Sequence, residues 1–402
     1  MRILLLNQTF YPDVVATAQY LTSLAEALAG RGHQVRVVAA RRAYDDPARR
    51  FAKRERYRGI EIERVGGTGF GKDAKWRRAL DFGSFLLRAA LRVLTTRRVE
   101  CVVALTSPPL VAALAALRCR LTGERFVYWV MDMNPDEALA AGWLRPGPVA
   151  GLLERVSRFT LAAADAVVVL DRYMQERVLA KGGVAAEQVR VVPPWSMDRY
   201  AFFDPAGRAA FRERHGLQGK YVVMYSGNHS PVHPLDTLLE AAIRLQADQR
   251  FCFLFVGGGS EFGRLRGVAE ARGLANVKFL PYQPIELLSG SLSAADLQAV
   301  VLGSAMVGTI HPSKLYNILA VGSAVLYVGP ERSHISDAME WHQGCNNYIR
   351  VDFGDVAGLT GWLEADWTRW NEAGRAAVLP GALNYSQQLL LPQLVQIVEG
   401  TL

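Results

Sequence analysis

Cysteine is scarce in this chain. The four present, Cys101, Cys119, Cys252 and Cys345, form no C-x-x-C pair and stand at no metal-ligand spacing with histidine. That excludes a disulfide scaffold and a zinc module, and it reads as the reduced thiols of a cytosolic protein. Long hydrophobic runs are missing too: nothing approaches the roughly 18 apolar residues of a membrane-spanning helix. The opening "MRILLLNQTFYPD" holds only the short apolar run ILLL, which reads as a buried first strand and not as a signal peptide. No zinc-finger spacing, aromatic RNA-binding signature or helix-turn-helix pattern is found, so no nucleic-acid partner is expected. A dinucleotide fingerprint needs G-x-G-x-x-G directly after the first strand, and "NQTFYPDVVATAQ" has no glycine there. "VGGGSEFG" supplies Gly257, Gly259 and Gly263 at the wrong spacing, which argues against a nicotinamide enzyme. Repeats of solenoid period and low-complexity segments are also lacking.

Acidic charge is in short supply: 38 Asp and Glu stand against 46 Lys and Arg over 402 residues, a formal net charge of +8. Such a balance suits anionic partners. The excess is concentrated in residues 41–98, which include "KWRR" and "TTRRV". Between those two lies "ALDFGSFLLRAALRVL", with Leu80, Leu87, Leu91 and Leu94 at helical spacing and Arg88 and Arg92 among them. A basic amphipathic helix of this kind lies on an anionic bilayer, or packs on a core with a solvated basic edge. The sequence leaves both open, and a peripheral membrane contact through residues 72–98 is the expectation carried forward.

Half of the residues are hydrophobic, enough for two cores, and the length suits two domains. "RILLLN", an amphipathic helix ending in glycine, and "HQVRVVAA" form a strand–helix–strand crossover, the unit of a doubly wound sheet. "VECVVALTS", "RFVYWVMD", "AADAVVVLD" and "QVRVVPP" continue it. The pattern restarts with "KYVVMYSGN", "FCFLFVGGG", "VKFLPY", "AADLQAVVL" and "AVLYVG", separated by helical stretches that include "PSKLYNILAVG". The expected class is α/β: two Rossmann-like domains with parallel sheets, residues 1–198 and 199–382, with a C-terminal helix in 383–402 returning to the first domain. Ligands would bind at the carboxyl ends of the two sheets, which face each other across a cleft.

Four stretches in order resemble a known family: "FYPDVVATAQYLTSLAEALAGRGHQVRVV", "VMDMNPDEALAAGWL", "YSGNHSPVHPLDTLLEAA", and "NVKFLPYQP" followed by "LSAADLQAVVL" and "PSKLYNILAVG". They resemble the retaining GT-B glycosyltransferases of the family-four group. The likeness runs nearly end to end and leans to the branch that builds bacterial exopolysaccharide, capsule and O-antigen, of the colanic-acid type. The resemblance implies a hexosyl transfer from a UDP- or GDP-linked sugar to a lipid-linked saccharide, without metal or other cofactor, on the inner face of the cytoplasmic membrane. Two other readings remain: an inactive scaffold of a polysaccharide assembly complex, and a nucleotide-sugar epimerase.

The chemistry requires something to stabilise charge on a leaving diphosphate, by cations or oriented backbone N–H groups. Ser313 reads as a helix N-cap and Lys314 follows it, a phosphate-binding arrangement. Gly227 offers a close backbone approach to phosphate, and Gly257, Gly258 and Gly259 end a strand beside it. By the resemblance, Asn228 and His233 occupy the positions of the family's arginine and lysine, with His229 nearby. Leu280 and Tyr282 bracket the base, and His311 and Leu315 flank the phosphate helix start. The family's two glutamates, eight positions apart, correspond to Thr309 and Asn317. Asparagine keeps a donor and an acceptor for a ribose diol, whereas threonine is the poorer replacement. On the acceptor side, Asp132 ends a buried strand and is placed for acceptor binding or general-base work. Asp13, Asp136 and Glu137 complete the acceptor candidates. The catalytic candidates are Asp132, Lys314 and Thr309.

Overall fold

The computed structural model describes the chain except residues 45–47, 69–74, 341–346 and 374–381. Cys345 and residues 72–74 of the basic segment therefore lie outside the described residues. Two compact units result. The first comprises Met1–Pro193, Gly308–His311 and Leu390–Leu402, and the second Pro194–Val307 and Pro312–Leu389. The division falls five residues before the expected boundary at 198, and the four-residue segment before the phosphate helix groups with the first unit.

In the first unit the elements run β1 (Arg2–Leu6), α1 (Ala16–Gly30), β2 (Gln34–Ala40), β3 (Arg54–Tyr57), β4 (Ile60–Val65), α2 (Lys75–Thr95), β5 (Cys101–Ala104), α3 (Val111–Thr122), β6 (Arg125–Trp129), α4 (Asp136–Ala140), α5 (Pro148–Ala162), β7 (Ala166–Val169), α6 (Arg172–Lys181) and β8 (Val189–Val191). The sheet order is β3-β4-β2-β1-β5-β6-β7-β8. Every pairing is parallel except β3 with β4. The continuous apolar runs of β1, β5 and β7 follow from burial on both faces. Strand order reverses between β1 and β5, and right-handed crossovers put α2, α3 and α5 on one side of the sheet.

The β3–β4 hairpin went unanticipated in the sequence. Its strand RERY alternates exposed and half-buried positions and holds no aliphatic residue. The turn itself is legible afterwards: Arg58 and Gly59 both have positive φ, 46° and 82°, the signature of a two-residue hairpin turn. The hairpin also absorbs part of the basic excess. Arg64 is buried and donates to Glu55 (2.6 Å) and to the Tyr11 carbonyl (2.6 Å). Arg36 and Arg56 share Glu61, and Arg54 and Arg92 share Glu63.

The second unit contains α7 (Pro205–Arg214), β9 (Tyr221–Asn228), α8 (Asp236–Arg244), β10 (Phe251–Gly258), α9 (Phe262–Ala271), β11 (Val277–Leu280), α10 (Leu288–Ser293), β12 (Leu297–Val301), α11 (Lys314–Val321), β13 (Ala324–Val328), α12 (His334–Met339), β14 (Tyr348–Val351) and α13 (Val356–Ala373). Its sheet is β11-β10-β9-β12-β13-β14, parallel throughout. The strand order reverses between β9 and β12, which is where this topology binds ligands. Tyr221, Tyr225, Phe251, Phe253, Phe255 and Leu265 form the centre of one core face. The last helix, α14 (Gln387–Glu399), groups with the first unit from Leu390 onward. There Arg31 and His33 bind Glu399 (2.8 and 2.7 Å), and Arg125 donates to the Val398 carbonyl at 2.7 Å.

Candidate donor and acceptor sites

In the second unit, β9 and β10 end side by side, with Gly227 paired to Gly257 and Asn228 to Gly258. The glycines are required by space and backbone. Gly227, Gly257 and Gly259 have φ of 141°, 132° and 132°. A Cβ on Gly257 would lie 2.1 Å from the Gly227 carbonyl oxygen, and one on Gly227 would lie 2.8 Å from Lys314 Nζ.

Lys314 opens α11 and turns its side chain onto these strand ends. Its Nζ sits 3.4 Å from the centre of the Tyr225 ring, is buried, and has no hydrogen-bond partner. Burial holds the amine well below the usual lysine value. A buried amine with unused N–H donors, and no acceptor for them among the described residues, is suited to an acceptor that a ligand brings. Ser313 occupies the N-cap position but makes no side-chain cap bond, so its hydroxyl is unspent.

The two histidines are neutral. His229 has no exposed surface. Its Nδ1 faces the carbonyls of Gly227 (3.0 Å) and Gly258 (3.3 Å), so Nδ1 carries the proton and ties the two strand ends together. The ring lies edge-on to Tyr225 and Phe262, with centroids 5.0 Å away in each case. Burial, then the nearby Lys314, pushes its pKa down to about 4. His233 donates from Nδ1 to the Val301 carbonyl at 2.7 Å, and the same two causes push it down to about 3. Neither imidazole replaces a permanent cation; both act as neutral hydrogen-bonding groups beside Lys314.

The remaining donor-side candidates divide. Leu315 is fully buried in the core. The side-chain oxygen of Asn317 accepts from the Met197 N–H at 2.8 Å, which leaves its NH₂ for a ligand. Leu280 ends β11 opposite Val256, and the ring of exposed Tyr282 covers Gly258. Thr309 and His311 belong to the first unit. The Thr309 carbonyl accepts from the Met133 N–H (2.7 Å), and His311 Nδ1 pairs with Asp171 (2.7 Å), itself the N-cap of α6.

Also in the first unit, Asp132 follows β6, and burial pushes its pKa up to about 6. Asp136 is bound to Lys181 (2.7 Å), which also holds Glu154 (2.6 Å), so this carboxylate anchors α4 to α5 and α6. Glu137 lies in the first turn of α4, and its N–H donates to the Met133 carbonyl. Asp13 accepts from the Tyr44 N–H at 3.1 Å, bracing the first-strand loop.

Three polar side chains escaped the sequence reading. Gln8 and Thr106 follow the adjacent strands β1 and β5, at the reversal point of the first sheet. Gln8 Oε1 and Thr106 Oγ1 are buried without hydrogen-bond partners. The Gln8 N–H donates to the Ser107 carbonyl (2.6 Å), fixing the two loops together. Ser230 Oγ, next to His229, is likewise buried and unpartnered. Their one legible mark is a polar residue two positions after the end of a buried strand.

Two parallel-sheet α/β units, each with polar groups gathered where its strand order reverses, define the class: a GT-B glycosyltransferase. Residues 16–195 match the family model described as "Glycosyl transferase 4-like domain", and residues 207–327 match that described as "Glycosyl transferases group 1". The chain belongs to this glycosyltransferase family. It is 29% identical over 360 residues to WcaI of Escherichia coli K12, described as a colanic acid biosynthesis glycosyl transferase, covering 86% of this chain and 87% of that one. Among solved structures, sucrose-phosphate synthase from Thermosynechococcus elongatus superimposes with a TM-score of 0.76 at 15% identity, covering 100% of this chain and 98% of the other. HepE of Anabaena, in complex with UDP and glucose, gives 0.72 at 16% identity, covering 100% and 99%. Identities this low speak for the fold alone. Among the described residues no helix is long and apolar enough to cross a membrane.

Proposed function

We propose that this glycosyltransferase moves a sugar from a UDP- or GDP-linked donor to a lipid-linked oligosaccharide in the synthesis of a cell-surface polysaccharide. It acts on the cytoplasmic face of the membrane, with retention at the anomeric carbon and without metal or other cofactor. The observation that carries this is the buried, unpartnered amine of Lys314 over Gly227. The description of WcaI and the UDP in HepE support the pathway and donor class.

In this reading the donor diphosphate accepts hydrogen bonds from Lys314, Ser313 and the first N–H groups of α11. As the bond between the anomeric carbon and the phosphate oxygen breaks, charge grows on that oxygen, and Lys314 meets it where water is excluded. The acceptor hydroxyl attacks from the same face and gives its proton to the departing phosphate oxygen. Asp132 orients that hydroxyl. Thr309 and the Asn317 NH₂ serve as sugar and ribose contacts.

One observation favours a second reading. Thr309 brings no carboxylate, and the oxygen of Asn317 is spent on Met197, as in a scaffold that has lost turnover. Thermal unfolding with excess UDP, GDP, ADP and TDP separates the readings at the first step. A ligand at a hundred times its dissociation constant adds about 2.7 kcal/mol of stability, so one nucleotide should raise the unfolding temperature clearly. No shift with any of them would overturn the donor site. Binding followed by no transfer to any lipid-linked acceptor would favour the scaffold, and donor conversion without acceptor would indicate an epimerase. Unchanged turnover in a chelator is expected, and a loss restored by a divalent cation would contradict the metal-free route.

A further inference from the structure

We propose that the outer faces of α2, α3 and α5 form one membrane-docking surface, which inserts aliphatic side chains into an anionic bilayer; α2 alone is not the anchor. The proposal rests on the lipid-linked acceptor reading only for its purpose.

Four of the five leucines of α2, Leu80, Leu87, Leu91 and Leu94, do not pack on the core. Leu87 and Leu91 are 66% and 62% exposed, and Leu80 and Leu94 are about half exposed at 49% and 46%. Phe85, Ala89 and Val93 make the buried face in their place. Two faces of one helix are thus apolar, and among the described residues only one is covered. The neighbouring helices repeat the arrangement. α3 packs against both α2 and α5, and it exposes Leu117 and Leu121, the latter 72% open. α5 exposes Leu152 and Phe159. A soluble surface rarely exposes aliphatic side chains on three helices packed side by side without an occupant.

Charge selects the occupant. Arg88, Arg98, Arg120 and Arg155 are exposed on or beside the same helices. Their two acidic residues are half-buried and engaged: Asp81 accepts from the Thr68 hydroxyl at 2.5 Å, and Glu154 binds Lys181 and Arg158. A second copy of the chain would set arginine against arginine, whereas anionic headgroups complement them. The surface is also braced. Arg118, buried on α3, donates to the carbonyls of Val93, Thr96 (3.1 Å) and Arg97 (3.2 Å) at the end of α2. Its charge is met by Glu124 at 2.5 Å, which also accepts from the Val99 N–H at 2.7 Å. Arg98 donates to the Thr122 carbonyl at 2.9 Å, closing the same junction from outside. The end of α2 is therefore pinned to α3 and presents a fixed platform.

The test is co-sedimentation of the purified full chain with phosphatidylcholine vesicles, with and without about one-third phosphatidylglycerol. The chain should bind the anionic vesicles and keep part of that binding in high salt, because inserted aliphatics are unscreened. Leu117→Gln with Leu121→Gln should lower partition roughly tenfold or more, as should Leu87→Gln with Leu91→Gln. Unchanged unfolding temperature and nucleotide binding would show that both variants are intact. Wild-type partition in the α3 variant would confine docking to α2 and overturn the proposal. So would wild-type protein that ignores anionic vesicles while binding nucleotide, or a sedimentation dimer that the α3 variant dissolves while vesicle binding persists. A chain that docks but binds no nucleotide would leave this surface standing and remove the donor site instead.

Discussion

Lys314 and Tyr225 form a closed pair in the second unit: the amine lies 3.4 Å from the ring centre, buried, with no acceptor in reach. The titratable neighbours facing it are Tyr225, His229 and His233, and none is an anion. Burial keeps Tyr225 in its phenol form, and both histidines are held neutral. The site is prepared for an anion that the described residues do not provide.

This makes nucleotide binding proton-linked. A diphosphate stabilises the charged amine, so binding should take up a proton at Lys314, and affinity should fall as pH rises. Calorimetry in buffers of different ionisation enthalpy measures the uptake directly. Proton uptake on binding is expected in alkaline buffer, and none in Lys314→Met. The sign for stability follows. With the folded pKa depressed, the unfolded chain binds more protons up to about pH 10.4. Lys314→Met should therefore stabilise the nucleotide-free protein at neutral pH, by a margin that shrinks toward pH 10.

His229 and His233 predict acid sensitivity. Their folded values, about 4 and about 3, lie below the unfolded value of about 6.5. The unfolded chain takes the protons first as pH falls through that window. Stability should drop below pH 6.5 by up to about 1.4 kcal/mol per pH unit for each histidine. His229→Gln, whose side-chain NH₂ can still reach the carbonyls of Gly227 and Gly258, should flatten the denaturant midpoint's pH profile. A variant as steep as the wild type would refute the assignment.

The glycine pair separates folding from binding. Gly257→Ala forces a Cβ onto the Gly227 carbonyl at a φ of 132° and should cost about 2 kcal/mol or more in urea melts. In Gly227→Ala the clash is with the movable end of Lys314. Beyond the backbone strain at that position, it should weaken nucleotide binding roughly tenfold. Equal nucleotide affinity in Gly227→Ala would contradict the placement of the diphosphate.

Gln8 and Thr106 carry a prediction for the acceptor. Their buried, unpartnered oxygens suit saccharide hydroxyls, and each lost hydrogen bond is worth about 1 kcal/mol. Gln8→Leu and Thr106→Val should each raise the acceptor KM about fivefold while donor affinity stays constant. An unchanged acceptor KM would assign these oxygens another role.

The parallel strands were legible in the sequence because burial on both faces leaves continuous apolar runs such as RILLL and YVVMYSGN. The hairpin was not, because RERY pairs at a sheet edge through salt bridges and shows no apolar periodicity. At the site, Lys314 stood out as a cation beside a helix start. His229 was placed only near the phosphate segment, because no local pattern reveals that the chain folds a histidine against Tyr225 and Phe262. The leucines of α2 left two readings open in the sequence. Helical spacing marks a face but does not say whether core or solvent covers it, and the shorter Phe85, Ala89, Val93 stripe took the core. Leu315 and Asn317 are divided by three-dimensional context alone: one enters the core, and the other spends its oxygen on Met197.

The most direct test of the account is titration calorimetry of UDP and GDP into the wild-type chain and into Lys314→Met. One of the two nucleotides should bind the wild type, and the substitution should weaken it roughly a hundredfold, the loss of about two charge-assisted hydrogen bonds. Equal affinity in the two proteins would contradict the claim that this buried lysine holds the donor diphosphate.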